Sequence, residues 1–222
     1  MIQSETSNAL LRMPTAEFLA QQESLPAADA ARIRRSVRSY TDEPVSDDTI
    51  RELLELTGRA PSAFNAQPWR FIVVRDPATK DALKTAAFNQ KQVASAPVLI
   101  AMYADMEDTL ARVEEIVNPG LPPAEHAATV ERLRNIWGKM SIEQRGVWAN
   151  AQANIALGYL LLIAQSKGLA TSPMLGFQVD EVKALLGIPA HATITALVAL
   201  GHAAEDGYPS HRLDLDRIAD FR

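Results

Sequence analysis

The chain has 222 residues, of which 47% are hydrophobic and 22% charged, enough to bury one sizeable core. Its formal net charge of −5 excludes the broadly basic surface that general nucleic-acid binding requires. Cysteine is absent, which removes disulfides, thiolate catalysis and thiolate-bound metal and agrees with a cytoplasmic protein.

In chain order, residues 1–30 are expected to form an N-terminal arm, helical at Ala16–Gln22 and broken at Pro14 and Pro26. Its start, Met1-Ile2-Gln3-Ser4-Glu5, lacks the basic start and apolar run of a secretory signal. Residues 31–222 are expected to make a single domain. Arg34-Arg35-Ser36-Val37-Arg38 puts three guanidinium groups and a hydroxyl within five residues. Such a run is most often a solvated basic face, but arginine forks also hold phosphate oxygens in bidentate fashion. Ser46-Asp47-Asp48 caps a helix over Thr49–Arg59, with acids in its first turn.

Pro61-Ser62-Ala63-Phe64-Asn65-Ala66-Gln67-Pro68-Trp69 is a loop with a proline near each end. As a plain turn it explains its prolines and a core tryptophan. Ser62, Asn65 and Gln67 also offer donors and acceptors that match the polar edge of a flat heterocycle. A strand over Arg70–Val74 follows, then a helix from Asp76-Pro77 to about Phe88. Phe88-Asn89-Gln90-Lys91-Gln92 follows the helix end; a polar terminus is the plainer reading of Lys91 and Gln92. Pro97–Tyr103 has the unbroken apolar character of a strand buried on both faces.

Residues 106–140 are expected to be helical, broken at Asn118-Pro119-Gly120 and Pro122-Pro123, and to form an insertion or lid over the site. Ser141–Lys167 is the longest helix, closed by Gly168 and apolar nearly all round from Val147 to Ala164. Asn150, Gln152 and Asn154 argue against a membrane span and for a central helix buried in the domain and against a second subunit. Pro173-Met174-Leu175-Gly176 is a tight turn after a short strand. A helix over Val179–Leu186, a strand over Ala192–Gly201 and a polar tail holding Ser210-His211-Arg212-Leu213 complete the chain. The class is α+β (α/β mixed): one mixed, mainly antiparallel central sheet flanked by helices.

No G-x-G-x-x-G follows a strand, and neither a P-loop nor a G-x-S-x-G pattern occurs. His126, His191, His202 and His211 lack the close spacing of a helical metal pair, so no metal site is expected.

Taken in order, R-x-S-x-R, P-S-x-x-N-x-Q-P-W, F-N, a long core helix, P-x-x-G and a C-terminal arginine resemble the FMN-dependent nitroreductases, from about Arg32 to the end of the chain. The resemblance implies a nitroreductase-like fold and an intertwined homodimer with FMN at the subunit interface, the long helix lying in that interface. Arg34, Arg35, Ser36, Arg38 and Arg212 would hold the FMN phosphate. Asn89 would bond the pyrimidine edge, and the Leu175 and Gly176 N–H groups of the Pro173–Gly176 turn, with Met174, would face N5 and O4. Pro61, Ser62, Ala63 and Asn65 would approach from the partner, with Gln67 in the same loop. The activity implied is a ping-pong transfer from NADH or NADPH to a nitroaromatic or quinone acceptor, with no side chain singled out as catalytic. Ser210 stands where some relatives carry a lysine, leaving the phosphate clamp one charge weaker. Other flavin reactions on the same scaffold, such as dehydrogenation, dehalogenation or flavin breakdown, remain open at the sequence level. So do a non-catalytic FMN-binding or redox-sensing role and a helical interaction protein.

Overall fold

The apolar runs become four strands, β1 (Trp69–Val74), β2 (Val98–Ala104), β3 (Ala170–Met174) and β4 (Thr193–Gly201). They pair antiparallel in the order β1-β2-β4-β3. The parallel component is an isolated bridge between Ser36 and Thr171 that lays the arginine-rich segment along the outer side of β3. Val37 N–H donates to the Thr171 carbonyl at 3.0 Å to hold it there. This is a computed structural model, and it describes residues 24–222. The helix expected at Ala16–Gln22 lies outside the described residues.

The central strands are covered on both sides, which explains their lack of polar alternation. Leu99 and Ala101 of β2 face one core, shared with α3 (Pro77–Ala86) and α9 (Val179–Leu186). Val98, Ile100 and Met102 face the other, beneath α8 (Ile142–Ser166). Also on that side lie α1 (Ala27–Ile33), which spans the expected arm boundary, and α2 (Asp47–Thr57). A five-residue helix, α4 (Lys91–Ser95), leads into β2.

Helix α8 begins with a capping box in which Ser141 and Gln144 bond each other's backbone N–H groups. It ends where Gly168 takes a left-handed φ of 74°. Its buried stripe is Arg145, Ala149, Ala153, Ala156, Leu160 and Ala164. The run of alanines lets its backbone lie close to the sheet. Within one chain the opposite face, with Val147, Ile155 and Tyr159, is exposed, the face expected to meet a second subunit. Its length and mean hydropathy of 1.4 would suit a membrane span by composition alone. One face is nevertheless committed to the sheet.

Residues 106–140 form α5 (Met106–Ala111), α6 (Val113–Ile116) and α7 (Pro123–Gly138), broken where the prolines lie. Val113, Val130, Leu133 and Trp137 pack with Ala149 and Ala153 of α8, so this segment shares the domain's core. At the far end of the sheet, a Cβ added to Gly201 would sit 2.6 Å from ring carbons of Pro97. A rigid ring cannot swing aside. Gly201→Ala is therefore expected to cost about 1–3 kcal/mol. It should lower the urea midpoint with an unchanged slope; an unchanged midpoint would refute the clash.

Candidate functional site

Along the outer side of β3, extended backbone sends alternate residues of the arginine-rich segment to opposite faces. Val37 is buried in the core. Arg34 is half-buried, and its Nη1 is shut off from solvent with no hydrogen-bond partner among the described residues. Burial, and then the positive charge of Arg212, hold the Arg34 pKa below the usual guanidinium range. A buried guanidinium without a partner, close to a second one, is costly unless an anion completes the arrangement. Ser36, two residues on, is half-buried, and its carbonyl packs under the tail at Gly207. A Cβ there would come within 2.9 Å of that oxygen, and φ is 68°. Only glycine lets the tail, and with it Arg212, fold over this segment.

Arg35 does not join this group. It lines a pocket with Gln165, Glu205 and Asp206, the two acids being shared with the cleft beside Arg38. Arg38 lies toward a cleft of about 600 Å³ that it lines with Lys91, Gln92 and Tyr208. The cleft runs between Arg38 and Ser39, the start of α4 at Lys91 and Gln92, and the tail from Glu205 to Tyr208, whose Glu205 and Asp206 also line it.

Phe88 and Asn89 both take left-handed conformations, φ 55° and 58°. Gln90 Nε2 donates to the Gly176 carbonyl at 2.7 Å. Gln92 Nε2 donates to Gln90 Oε1 at 3.1 Å and reaches Met174 Sδ at 3.3 Å. Two amide side chains thus tie the Asn89 turn to the Pro173–Gly176 turn. Asn89, Leu175 and Gly176 remain exposed beside them, and Pro173 sits on edge strand β3, where a missing N–H is tolerated. Sequence reasoning passed over Gln90 and took Gln92 for a polar helix end. The signal was their spacing, which puts both amides toward the same turn.

The Pro61–Trp69 loop lies at the other edge of the sheet, leading into β1. Three strand spacings, roughly 14 Å, separate β1 from β3, so one chain does not bring this loop to the Arg34 corner. Within the loop, Ser62 Oγ accepts from the Gln67 N–H at 3.1 Å, and Gln67 Nε2 donates to the Asn65 carbonyl at 3.3 Å. Asn65 Nδ2 donates to the Ile116 carbonyl at 3.0 Å, and the Ala63 N–H donates to Gln152 Oε1 at 2.9 Å. Ser62, Asn65 and Gln67 therefore shape the loop, while exposed Pro61 and Ala63 offer backbone and apolar surface. Gln152, an amide within the apolar helix, has its explanation here. Phe64, Asn65 and Gln67 also have positive φ. Every non-glycine residue of this kind among the described residues lies in this loop or at Phe88-Asn89. Such strain concentrates where a site over-determines the backbone.

The sequence profile described as the Nitroreductase family matches residues 31–202. The chain belongs to the nitroreductase family. It is 50% identical over 198 residues to a protein of Thermus thermophilus named NADH dehydrogenase, covering 89% of this chain and 97% of that one. It is 32% identical to a candidate NAD(P)H nitroreductase of Bacillus subtilis, over 85% of this chain and 94% of the relative. A candidate nitroreductase of Exiguobacterium sibiricum, solved in complex with FMN, superposes with a TM-score of 0.82 at 29% identity. That match covers 90% of this chain and 99% of the other. The nitroreductase profile takes in every segment named above except the tail with Arg212, which lies beyond residue 202.

Proposed function

We propose that this nitroreductase is an FMN-dependent NAD(P)H oxidoreductase acting on nitroaromatic or quinone-type acceptors, as a cytoplasmic homodimer. The observation that carries the reading is the orphaned, desolvated Nη1 of Arg34 beside the charge of Arg212. A phosphate oxygen relieves both the missing hydrogen bond and the repulsion. Ser36 and Arg38 extend that corner, and Ser210 adds no charge to it. Asn89 would meet the pyrimidine edge, while the Leu175 and Gly176 N–H groups stand exposed on a turn that Gln90 holds in place. When bound, FMN supplies two-electron chemistry, taking hydride from NADH or NADPH and giving it to the acceptor in a ping-pong cycle. The name of the Thermus relative supports NADH as the donor. No side chain is assigned as the acid; solvent can reach the exposed turn.

The separation of the two residue groups supports the dimer reading. A loop kept roughly 14 Å from the Arg34 corner in its own chain can complete a cofactor site only by meeting the corner of another chain. The unpartnered apolar face of α8, with Val147, Ile155 and Tyr159, supplies surface for that contact.

The test is the visible spectrum of freshly purified protein, followed by heat release and identification of the chromophore. A yellow dimer releasing about one FMN per chain is expected. A colourless protein that fails to take up added FMN would overturn the proposal.

A further inference from the structure

Phe64 carries no assigned role, yet it is a large aromatic held at φ 57° and 49% exposed. A bulky residue in this conformation is an outlier that needs support from its surroundings. Edge-on contact with buried Trp137 gives that support, the ring centroids lying 6.0 Å apart at 85°. The Asn65 side chain, bonded to the Ile116 carbonyl, fixes the loop against α6. Between loop and lid lies a cleft of about 310 Å³ lined by Phe64, Ile116, Val117, Leu121, Thr129 and Arg132. That volume suits one or two fused rings.

The charge pattern of this cleft is specific. Arg112 pairs with Asp108, and Arg134 pairs with Glu114. Arg132, on the same helix as Arg134, faces the cleft and has no ion pair or hydrogen bond among the described residues. Among the described residues no carboxylate lines the cleft to compete for it. An apolar, aromatic-walled slot with one unpaired guanidinium at its rim is complementary to a flat ring bearing an anionic substituent.

We propose that this cleft is an acceptor subsite, with Phe64 as its wall and Arg132 as its charge selector, and that it favours planar aromatic acceptors carrying a carboxylate or sulfonate. The inference rests on the proposed function, in which the Pro61–Trp69 loop meets the redox centre. With a quinone acceptor the balance is two electrons and two protons. NAD(P)H gives a hydride and solvent a proton, leaving NAD(P)⁺ and the hydroquinone.

Binding is tested with two probes that cannot be reduced, naphthalene-2-sulfonate and neutral 2-naphthol, by calorimetric titration of the purified protein, with FMN content read in the same samples. Phe64→Ala should weaken both probes about fivefold to tenfold. Phe64→Leu should recover part of that loss, which separates wall area from loop misfolding. Arg132→Gln should weaken the sulfonate about threefold to tenfold and leave 2-naphthol unchanged, with a wild-type preference that shrinks as salt rises. Equal affinities across wild type and variants, or no binding of either probe by wild type, would overturn the subsite. The cleft is built from one chain, so the titration decides it even if FMN is missing. Missing FMN would strike at the proposed function instead.

Discussion

Arg34→Met and Arg212→Ala are each expected to lower FMN affinity by roughly tenfold to a hundredfold, as one charge-assisted hydrogen bond is lost. Riboflavin, which has the same ring and no phosphate, should lose little. The contrast matters because it separates a phosphate clamp from a general loosening of the site. The two variants should also differ in the cofactor-free protein. Arg34 has a buried guanidinium nitrogen with no hydrogen-bond partner among the described residues, and burial and Arg212 both disfavour its charge. Removing it should leave the apo-protein as stable as wild type, or more so, even as FMN binding fails. Arg212 is exposed and, among the described residues, bonds only the His211 carbonyl, so its removal should leave apo stability unchanged. Fluorescence titration with both ligands, beside thermal unfolding with and without FMN, checks the set. Wild-type FMN affinity in both variants, or an equal loss of FMN and riboflavin binding, would end the phosphate assignment.

The parts of this fold set by local chemistry were legible in the chain. The Ser46 cap, the Asp76-Pro77 helix start, the capping-box serine Ser141 and the closing Gly168 each act within a few residues. The Val179–Leu186 helix was found with its limits unchanged. Burial was less legible. Helix α8 reads as apolar all round, and only packing shows that its alanine stripe lies on the sheet while Val147 and Tyr159 stay outside.

The site divides in the same way. The segment Arg34–Arg38 was visible as a cluster of charge. Which arginines converge depends on the Ser36–Thr171 bridge, a contact between residues 135 positions apart in the chain (171 − 36). Arg35 instead lines the pocket beside Gln165, Glu205 and Asp206. The roles of Gln90, Gln92 and Gln152 were hidden for a related reason: each amide bonds a distant segment or steadies a residue that does. Phe64 was hidden because a positive φ at phenylalanine has no local signature. Propensity disfavours it there, and only Trp137 and the loop's own bonds hold it.

Arg145→Met is expected to destabilise the protein by about 2–4 kcal/mol and to release the 106–140 segment before the rest of the domain unfolds. Arg145 lies in the buried stripe of α8 and forks onto Glu107 of α5, with Nε to Oε1 at 2.6 Å and Nη2 to Oε2 at 2.9 Å. Its Nη1 donates to the Met140 carbonyl at 2.5 Å and to the Trp137 carbonyl at 3.3 Å. One guanidinium thus closes the C-terminal end of α7 and fixes α5 to the central helix. Hydrogen bonding to Glu107, with the attraction of that carboxylate, holds the Arg145 pKa above its usual value. For a base, an upward shift means that this contribution is fully present below the unfolded pKa and fades only at higher pH. The penalty should therefore appear throughout the physiological range. Methionine keeps the length and apolar packing of the side chain, so what is lost is mainly the bonds, leaving Glu107 and two carbonyls short of donors. Pairing it with Glu107→Met should restore part of the stability, because the second change removes the stranded carboxylate. Urea unfolding of the two single variants and the double variant gives the coupling, and limited proteolysis shows whether 106–140 opens first. Helix α7 also presents Arg132 and Leu133 to the cleft beside Phe64, so binding at the proposed subsite should weaken under conditions where the sheet is still folded. A wild-type midpoint with wild-type protease resistance would show that α5–α7 are held by their apolar contacts alone.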